Sequence, residues 1–159
     1  MNNSQYYVDT ICDNIMEFDS GYSVFNDYLR NSMDSAVIHY ICDKETDRLV
    51  AYFSLVASGI LLGDPNNLNA IPAIEIKMFA LDKRCQGSGL ASCFLDVAVD
   101  MIKFIACEYV GAEAIILYSV PVERVVKLYE SKGFERIGGV LTAFKSDFTN
   151  GCIPMFMEI

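Results

Sequence analysis

Apolar and polar residues alternate most clearly between Ala73 and Leu81, which predicts a buried central strand. One face of that strand would carry Ile74, Ile76, Met78 and Ala80, and the other Glu75, Lys77, Phe79 and Leu81. The period then changes, since apolar residues recur every three or four positions at Leu90, Phe94, Val97, Met101 and Ile105. This pattern predicts an amphipathic helix, and Gly111 suits its C-terminal cap.

The rest of the chain supplies weaker patterns of the same two kinds. Ser23 is expected to cap a first helix, and Pro121 to open a last helix that runs to Lys132 and stops at Gly133. Loops are expected at 43–48, 63–72 and 145–151. Further strands are predicted at Tyr6–Cys12, Ala36–Cys42, Leu49–Ala57, Ala112–Tyr118, Phe134–Ile137 and Cys152–Glu158. Strands and helices alternating over 159 residues predict a single domain spanning 1–159.

A glycine turn, Arg84-Cys85-Gln86-Gly87-Ser88-Gly89, joins the central strand to the long helix. Glycines at such a turn let the backbone approach a ligand closely, and free N–H groups and the positive helix end then attract phosphate. The turn lacks the Lys-Ser/Thr ending of a P-loop and the spacing of a dinucleotide-binding turn. It therefore predicts a phosphate site of another kind.

Two segments resemble the GNAT superfamily of acyl-CoA N-acyltransferases. R-x-x-G-x-G after an apolar strand is similar to the pyrophosphate-binding motif of that family, and VVKLYESKGF, from Val125, is similar to its later helix. The two lie in the family's order, and the resemblance covers Ala73 to Phe134. Cys85 departs from the pattern, because the family commonly has a small residue such as glycine there.

The resemblance implies an α/β (α+β) GNAT fold, with helices on both faces of a central mixed sheet that splays around acetyl-CoA as co-substrate. It implies that the acceptor binds near the 63–72 connection, and that Lys83 lies near the pyrophosphate as a second cation beside Arg84. The cofactor-binding residues would be Phe79, Ala80, Leu81, Arg84, Cys85, Gln86, Gly87, Ser88, Gly89 and Ser119.

Acyl transfer from a thioester to an amine needs an acid for the leaving thiolate and a neutral amine. Tyr129 matches the family's acid, although an aromatic residue that merely packs would fit the same position. Glu75 is the candidate base, through a water, or else an exposed strand carboxylate or a partner of Lys77. No base is evident for Cys85 as a nucleophile, and His39 is expected to be a packed or surface histidine.

Three functions fit these features. The first is acetylation of a primary amine of a small molecule or peptide. The second is a toxin, held by an antitoxin, that acetylates the amine of aminoacyl-tRNA, because FDSGYSVFNDYLRN and the chain length resemble that subfamily. Against it, the subfamily often has arginine where this chain has Met78. The third is a non-catalytic acyl-CoA sensor.

Charge and composition restrict the partners. The net charge is −9, and residues 1–76, with 3 basic and 11 acidic side chains, carry −8 of it. An anionic surface attracts cations and repels nucleic acid, so a cationic amine acceptor is expected, with aminoacyl-tRNA kept as the alternative. Six scattered cysteines and a single histidine give no metal-site spacing, and no apolar stretch is long enough for a membrane span. We expect a cytoplasmic protein, monomeric or homodimeric.

Overall fold

A computed structural model describes residues 5–63, 69–138 and 151–159. The strands are β1 (Tyr6–Asp9), β2 (Val37–Asp43), β3 (Leu49–Leu62), β4 (Asn69–Leu81), β5 (Ala114–Ser119), β6 (Glu135–Arg136) and β7 (Ile153–Glu158). The α-helices are α1 (Ser23–Asn31), α2 (Leu90–Ile105) and α3 (Glu123–Glu130). Short 3-10 turns lie at Ile15–Glu17 and Lys83–Cys85, and a π-helical turn at Ala106–Val110 extends α2.

The strands form one mixed sheet in the order β1-β2-β3-β4-β5-β7-β6. Antiparallel pairs join β1 to β2, β2 to β3, β5 to β7 and β6 to β7. The pair β4–β5 is parallel, with Ala73 opposite Ala114 and Ile76 opposite Leu117. Since α2 lies between these two strands in the chain, they form a strand–helix–strand crossover, as the sequence pattern predicts.

The chain divides into two compact units. The first comprises the chain up to Val56 together with Lys77–Val97. Its core contains Phe18, Leu29, Cys42, Leu49, Tyr52, Met78 and Ala80. The second comprises Ala57–Ile76 and the chain from Ala98 onwards, and one of its core clusters contains Ile60, Ala73, Ala114 and Ile116.

The predicted faces of the central strand are found in the structure. Ile74, Ile76, Met78 and Ala80 are all buried, while Glu75, Lys77 and Phe79 on the other face are half-buried; Leu81, the last residue of that face, is buried as well. Met78, with 3% of its surface exposed, belongs to the same apolar cluster as Phe18 and Tyr52. An arginine at this position would bury a cation among aromatic rings, which explains why an apolar residue suits this chain.

Several predicted boundaries are wrong. The strand β4 begins at Asn69 and contains Pro72, so the predicted loop extends too far, although residues 64–68 lie outside the described residues. Residues 139–150, with most of the loop predicted at 145–151, also lie outside them. The strand β1 ends at Asp9, and β3 continues to Leu62.

Helix starts differ as well. Tyr22 is the N-cap residue of α1 and makes no side-chain cap bond, so Ser23 is the first helical residue and not the cap. A preceding turn supplies the polar contacts instead, because the Ser20 N–H and hydroxyl both donate to Asn26 Oδ1 at 2.9 Å. Val122 is the N-cap of α3, so Pro121 precedes that helix.

The buried face of α2 is turned relative to the predicted one. Phe94, Leu95, Ala98, Val99, Ile102 and Ala106 are buried, whereas Leu90, Val97, Met101 and Ile105 are half-buried at its margin. The apolar surface is wider than one stripe, so periodicity alone does not locate its centre. Gly111 ends this segment in the left-handed conformation, as expected. No helix in the described part of the chain is long and apolar enough to cross a membrane.

Candidate functional site

The glycine turn lies in the first unit, between the end of β4 and the start of α2. Gly87 and Gly89 have φ angles of +77° and +82°, which residues with a side chain adopt only with strain. A Cβ built on either glycine meets no atom within 4 Å. The turn therefore borders open space at the N-terminus of a 16-residue helix.

The backbone donors of this turn fall into two groups. The N–H groups of Arg84, Cys85 and Gln86 donate to Asp82 Oδ1 at 3.0 Å, the Asp82 carbonyl at 2.8 Å and the Lys83 carbonyl at 3.4 Å. Within the described residues, the next five N–H groups, from Gly87 to Ala91, donate to no protein acceptor. Five adjacent unbonded donors at a helix start form the environment that binds an anion.

Both predicted cations of the turn are paired with carboxylates. Arg84 donates to Asp82 through Nε and Nη2, each at 2.7 Å, and Lys83 Nζ lies 2.6 Å from Asp19 Oδ2. The sequence analysis missed Asp82, which is fully buried. Its position directly after the strand and two residues before Arg84 is the signal that could have indicated it.

The remaining side chains of the turn bind within the protein. Gln86 Nε2 donates to the carbonyls of Ser20 at 2.9 Å and Leu81 at 3.2 Å, and the Ser88 hydroxyl donates to the Cys85 carbonyl. Cys85 is buried, and burial raises the pKa of its thiol. A protonated, buried thiol is a poor nucleophile, which agrees with the expectation that Cys85 is not one.

Glu75 lies in the second unit, on β4 opposite Ile116 of β5. Its side chain is half-buried and accepts a hydrogen bond from the Ser58 hydroxyl at 3.2 Å. Burial, together with the Glu75 charge, raises the pKa of Tyr118 to about 12. Glu75 is therefore a positioned carboxylate and not a freely exposed one, and Ser58 and Tyr118 are neighbours that the sequence analysis missed.

Tyr129 is buried in the second unit, with its ring edge-on to Phe134 at a centroid distance of 5.9 Å. Burial alone raises the pKa of its hydroxyl above the usual value, so the phenol, which is protonated at neutral pH in any case, becomes a weaker acid. A protonated phenol can donate a proton, which suits an acid better than a base.

Two further predicted residues have clear surroundings. Ser119 is buried at the end of β5, and its hydroxyl donates to the Val120 carbonyl at 3.0 Å. His39 stacks on Phe53 at a centroid distance of 5.0 Å, and burial lowers the pKa of its imidazole. His39 is therefore a packed, neutral histidine, one of the two alternatives that the sequence left open.

The predicted residues thus form two sets. Phe79, Ala80 and Leu81 run directly into the glycine turn in the first unit, while Glu75, Ser119 and Tyr129 belong to the second. Their roles toward a ligand stay predictions. Among the described residues, no three His, Cys, Asp or Glu side chains are grouped so that they could hold a metal ion.

Comparisons with known proteins give the fold. No protein-family model and no curated protein matches the chain. A tyrosine-to-phenylalanine mutant of the toxin AtaT, bound to the C-terminus of the antitoxin AtaR and acetyl-CoA, matches 97% of this chain and 93% of its own, with 16% identity and a TM-score of 0.74. The chain has the GNAT fold.

Two other structures support the same assignment. A tyrosine-to-phenylalanine mutant of KacT covers 97% of this chain and 95% of its own, with 16% identity and a TM-score of 0.72. AtaT complexed with acetyl-methionyl-tRNAfMet covers 96% and 94%, again with 16% identity and a TM-score of 0.72. The GNAT fold expected from two short motifs is therefore confirmed over nearly the whole chain.

Proposed function

We propose that the chain is an acetyl-CoA-dependent N-acetyltransferase of the toxin kind, whose acceptor is the amine of an aminoacyl-tRNA. The run of unbonded N–H groups from Gly87 to Ala91 carries the proposal, because it offers a diphosphate site at the start of α2. The acceptor rests on the likeness to AtaT, which has been solved with acetyl-CoA and with acetyl-methionyl-tRNAfMet.

The residues present fit acetyl-CoA. The N–H groups of Gly87 to Ala91 would hold its diphosphate, and the two glycines leave the approach open. The backbone of Phe79 to Leu81 leads into the turn. It would form hydrogen bonds with the amide groups of the pantetheine arm of acetyl-CoA, which would pair with it as an added β-strand does. When bound, acetyl-CoA supplies an acetyl thioester that an amine can attack.

Two side chains would move the protons. Glu75, held by Ser58, would take a proton from the acceptor amine, through a water. Tyr129, whose hydroxyl is protonated at neutral pH, would give its proton to the departing thiolate. The backbone N–H near Ala80 or Leu81 would polarise the thioester carbonyl.

The acceptor decides how much a base matters. Neutralising a lysine-like amine with a pKa of about 10.4 costs roughly 4–5 kcal/mol at pH 7, whereas an α-amine of pKa about 8 costs about 1 kcal/mol. An aminoacyl ester presents an α-amine, so a carboxylate acting through a water is sufficient for it. The proposed acceptor therefore agrees with the modest base that Glu75 offers.

A cationic small-molecule or peptide amine is the second candidate acceptor. The net charge of −8 on residues 1–76 favours it, as does the apolar Met78 where the toxin subfamily often has arginine. A cytoplasmic location belongs to the first candidate, because its substrate takes part in translation. An antitoxin partner belongs to it as well, because AtaT has been solved with the antitoxin AtaR.

The test follows labelled acetyl transfer from acetyl-CoA to a panel of aminoacyl-tRNAs, polyamines and lysine peptides. We expect acetylation of at least one aminoacyl-tRNA, and its loss in Tyr129→Phe. Transfer to polyamines or lysine peptides alone would replace the first acceptor with the second. Acetyl-CoA binding without transfer to any amine would favour the sensor and refute both.

A further inference from the structure

Asp82 is a carboxylate in an unusual environment, completely buried at the end of β4. Four donors surround it. Oδ1 accepts from the Arg84 backbone N–H at 3.0 Å and from Arg84 Nε at 2.7 Å. Oδ2 accepts from Arg84 Nη2 at 2.7 Å and from the Asp19 N–H at 3.2 Å. A buried carboxylate persists only when it is paired and hydrogen-bonded in this way, so the arrangement fixes the backbone around it.

A second set of contacts holds the same turn from the Asp19–Ser20 segment. The Lys83 N–H donates to the Asp19 carbonyl at 2.8 Å, and Lys83 Nζ pairs with Asp19 Oδ2 at 2.6 Å. Gln86 Nε2 donates to the Ser20 carbonyl at 2.9 Å. Residues 82–86, which include the first half of the glycine turn, are therefore held both by the Asp82 carboxylate and by the Asp19–Ser20 segment.

These contacts also decide what is left to bind a ligand. The guanidinium of Arg84 is bidentate on Asp82, and the charge of Lys83 is matched by Asp19. Burial raises the pKa of Asp82, but the hydrogen bonds from Arg84 and from the Asp19 N–H, together with the Arg84 charge, outweigh it and hold this pKa below its usual range, so the pair is ionised. An anion at the turn would meet the Gly87 to Ala91 N–H groups and little net side-chain charge.

We propose that Asp82 is a positioning residue for the phosphate site, and that Arg84 acts by holding Asp82 rather than by binding phosphate. The buried carboxylate sets the shape of residues 82–86, and that shape presents the next five N–H groups to the acetyl-CoA diphosphate. This inference rests on the proposed function, since Asp82 can position a phosphate site only if the protein binds acetyl-CoA.

The experiment measures acetyl-CoA affinity by calorimetry, and KM and kcat, in Asp82→Asn. The variant keeps the side-chain shape and removes the charge. We expect KM for acetyl-CoA and the dissociation constant to rise at least about tenfold, as for the loss of charged hydrogen bonds, with kcat at saturation nearly unchanged. A purely structural role would lower the melting temperature and leave KM unchanged in the folded protein.

Asp43→Asn is the matched control. Asp43 Oδ1 also organises a turn of the first unit, where it accepts from the Glu45 N–H at 3.1 Å and the Thr46 N–H at 2.9 Å. We expect no change of KM in this variant. An equal rise of KM in both variants would show general loosening and overturn the inference.

Further variants separate the roles of the two partners. Arg84→Gln added to Asp82→Asn should raise KM no further, because the two residues act as one unit. If Arg84 instead binds phosphate, Asp82→Asn frees it and KM stays level or falls, which refutes the inference while the proposed function stands.

Asp19→Asn tests the contacts between the Asp19–Ser20 segment and the turn, and it replaces Asp82→Asn if that variant does not fold. Because Asp19 is half-exposed, this variant should raise KM only about threefold. Absence of acetyl-CoA binding by the unaltered protein overturns both proposals.

Discussion

At the scale of single residues, the hydroxyl of Tyr129 is the group whose removal tests the chemistry most directly. Tyr129→Phe keeps the ring that packs on Phe134 and removes only the proton donor. A thiol with a pKa near 8.5 leaves fairly well unaided, so we expect kcat to fall roughly tenfold to a hundredfold, toward the low end for acid–base groups. KM for acetyl-CoA should hardly change.

Tyr109→Phe is the control for that prediction, because Tyr109 is a tyrosine of the same unit with 73% of its surface exposed. It should leave kcat at the level of the unaltered protein. A Tyr129→Phe variant that turns over as fast as Tyr109→Phe would make Tyr129 a packing residue, which is the alternative that the sequence allowed.

Residue types alone reveal some site residues and not others. Glu75 was predicted from the resemblance of its strand to acetyltransferases that use this position, five residues before Ala80, as a base. Its hydrogen bond from Ser58 could not be predicted, because the two residues lie 17 positions apart. The pairing of Asp82 with Arg84, two positions away, could have been inferred from spacing, but the N–H of Asp19, which also donates to Asp82, comes from 63 positions earlier. Such partners are brought together by tertiary structure, which spacing in the chain does not reveal.

At the scale of elements, the turn between β4 and α2 depends on two glycines at positive φ. Gly87→Ala would place a Cβ in the open space beside the unbonded N–H groups. We expect acetyl-CoA affinity, measured by calorimetry, to fall at least about tenfold. We also expect a loss of about 1 kcal/mol in the free energy of unfolding, because alanine is strained at φ +77°.

Gly111→Ala is the matched variant for this test. Gly111 also has a positive φ, +63°, and open space around a built Cβ, but it caps the end of the π-helical turn that follows α2. It should lose similar stability and bind acetyl-CoA normally. Unchanged acetyl-CoA affinity in a folded Gly87→Ala variant would show that the glycine turn is not part of the acetyl-CoA site.

The same element shows why its position could be predicted and its donors could not. Alternation of apolar residues gives the strand, the change of period gives the helix, and the glycines give the turn between them. Which N–H groups remain unbonded depends on the 3-10 turn Lys83–Cys85, which uses the donors of Arg84 to Gln86. The predicted binding segment, 84–89, therefore overlaps the unbonded donors only at 87–89.

At the scale of the whole molecule, the negative net charge argues against binding of a nucleic acid, although the proposed acceptor is an aminoacyl-tRNA. The net charge is −9, and at least five of the 12 Lys and Arg side chains are paired with carboxylates: Lys77, Lys83, Arg84, Lys127 and Arg136. Nucleic-acid binding normally draws its affinity from cations that displace counterions from phosphates. A protein of this charge that acts on aminoacyl-tRNA must therefore recognise it through few phosphates.

That argument predicts a weak dependence of tRNA recognition on salt. Each phosphate contact contributes a slope of about 0.7–0.9 in a plot of log affinity against log salt concentration. With one or two contacts, KM for aminoacyl-tRNA should rise roughly three- to tenfold between about 50 and 200 mM salt. Initial rates of acetyl transfer measure it, and a small aminoacyl amide without phosphates controls for effects of salt on the chemistry. A rise of about a thousandfold would require six or more contacts, and would show that folding gathers several of the chain's 12 Lys and Arg side chains into one tRNA-binding patch.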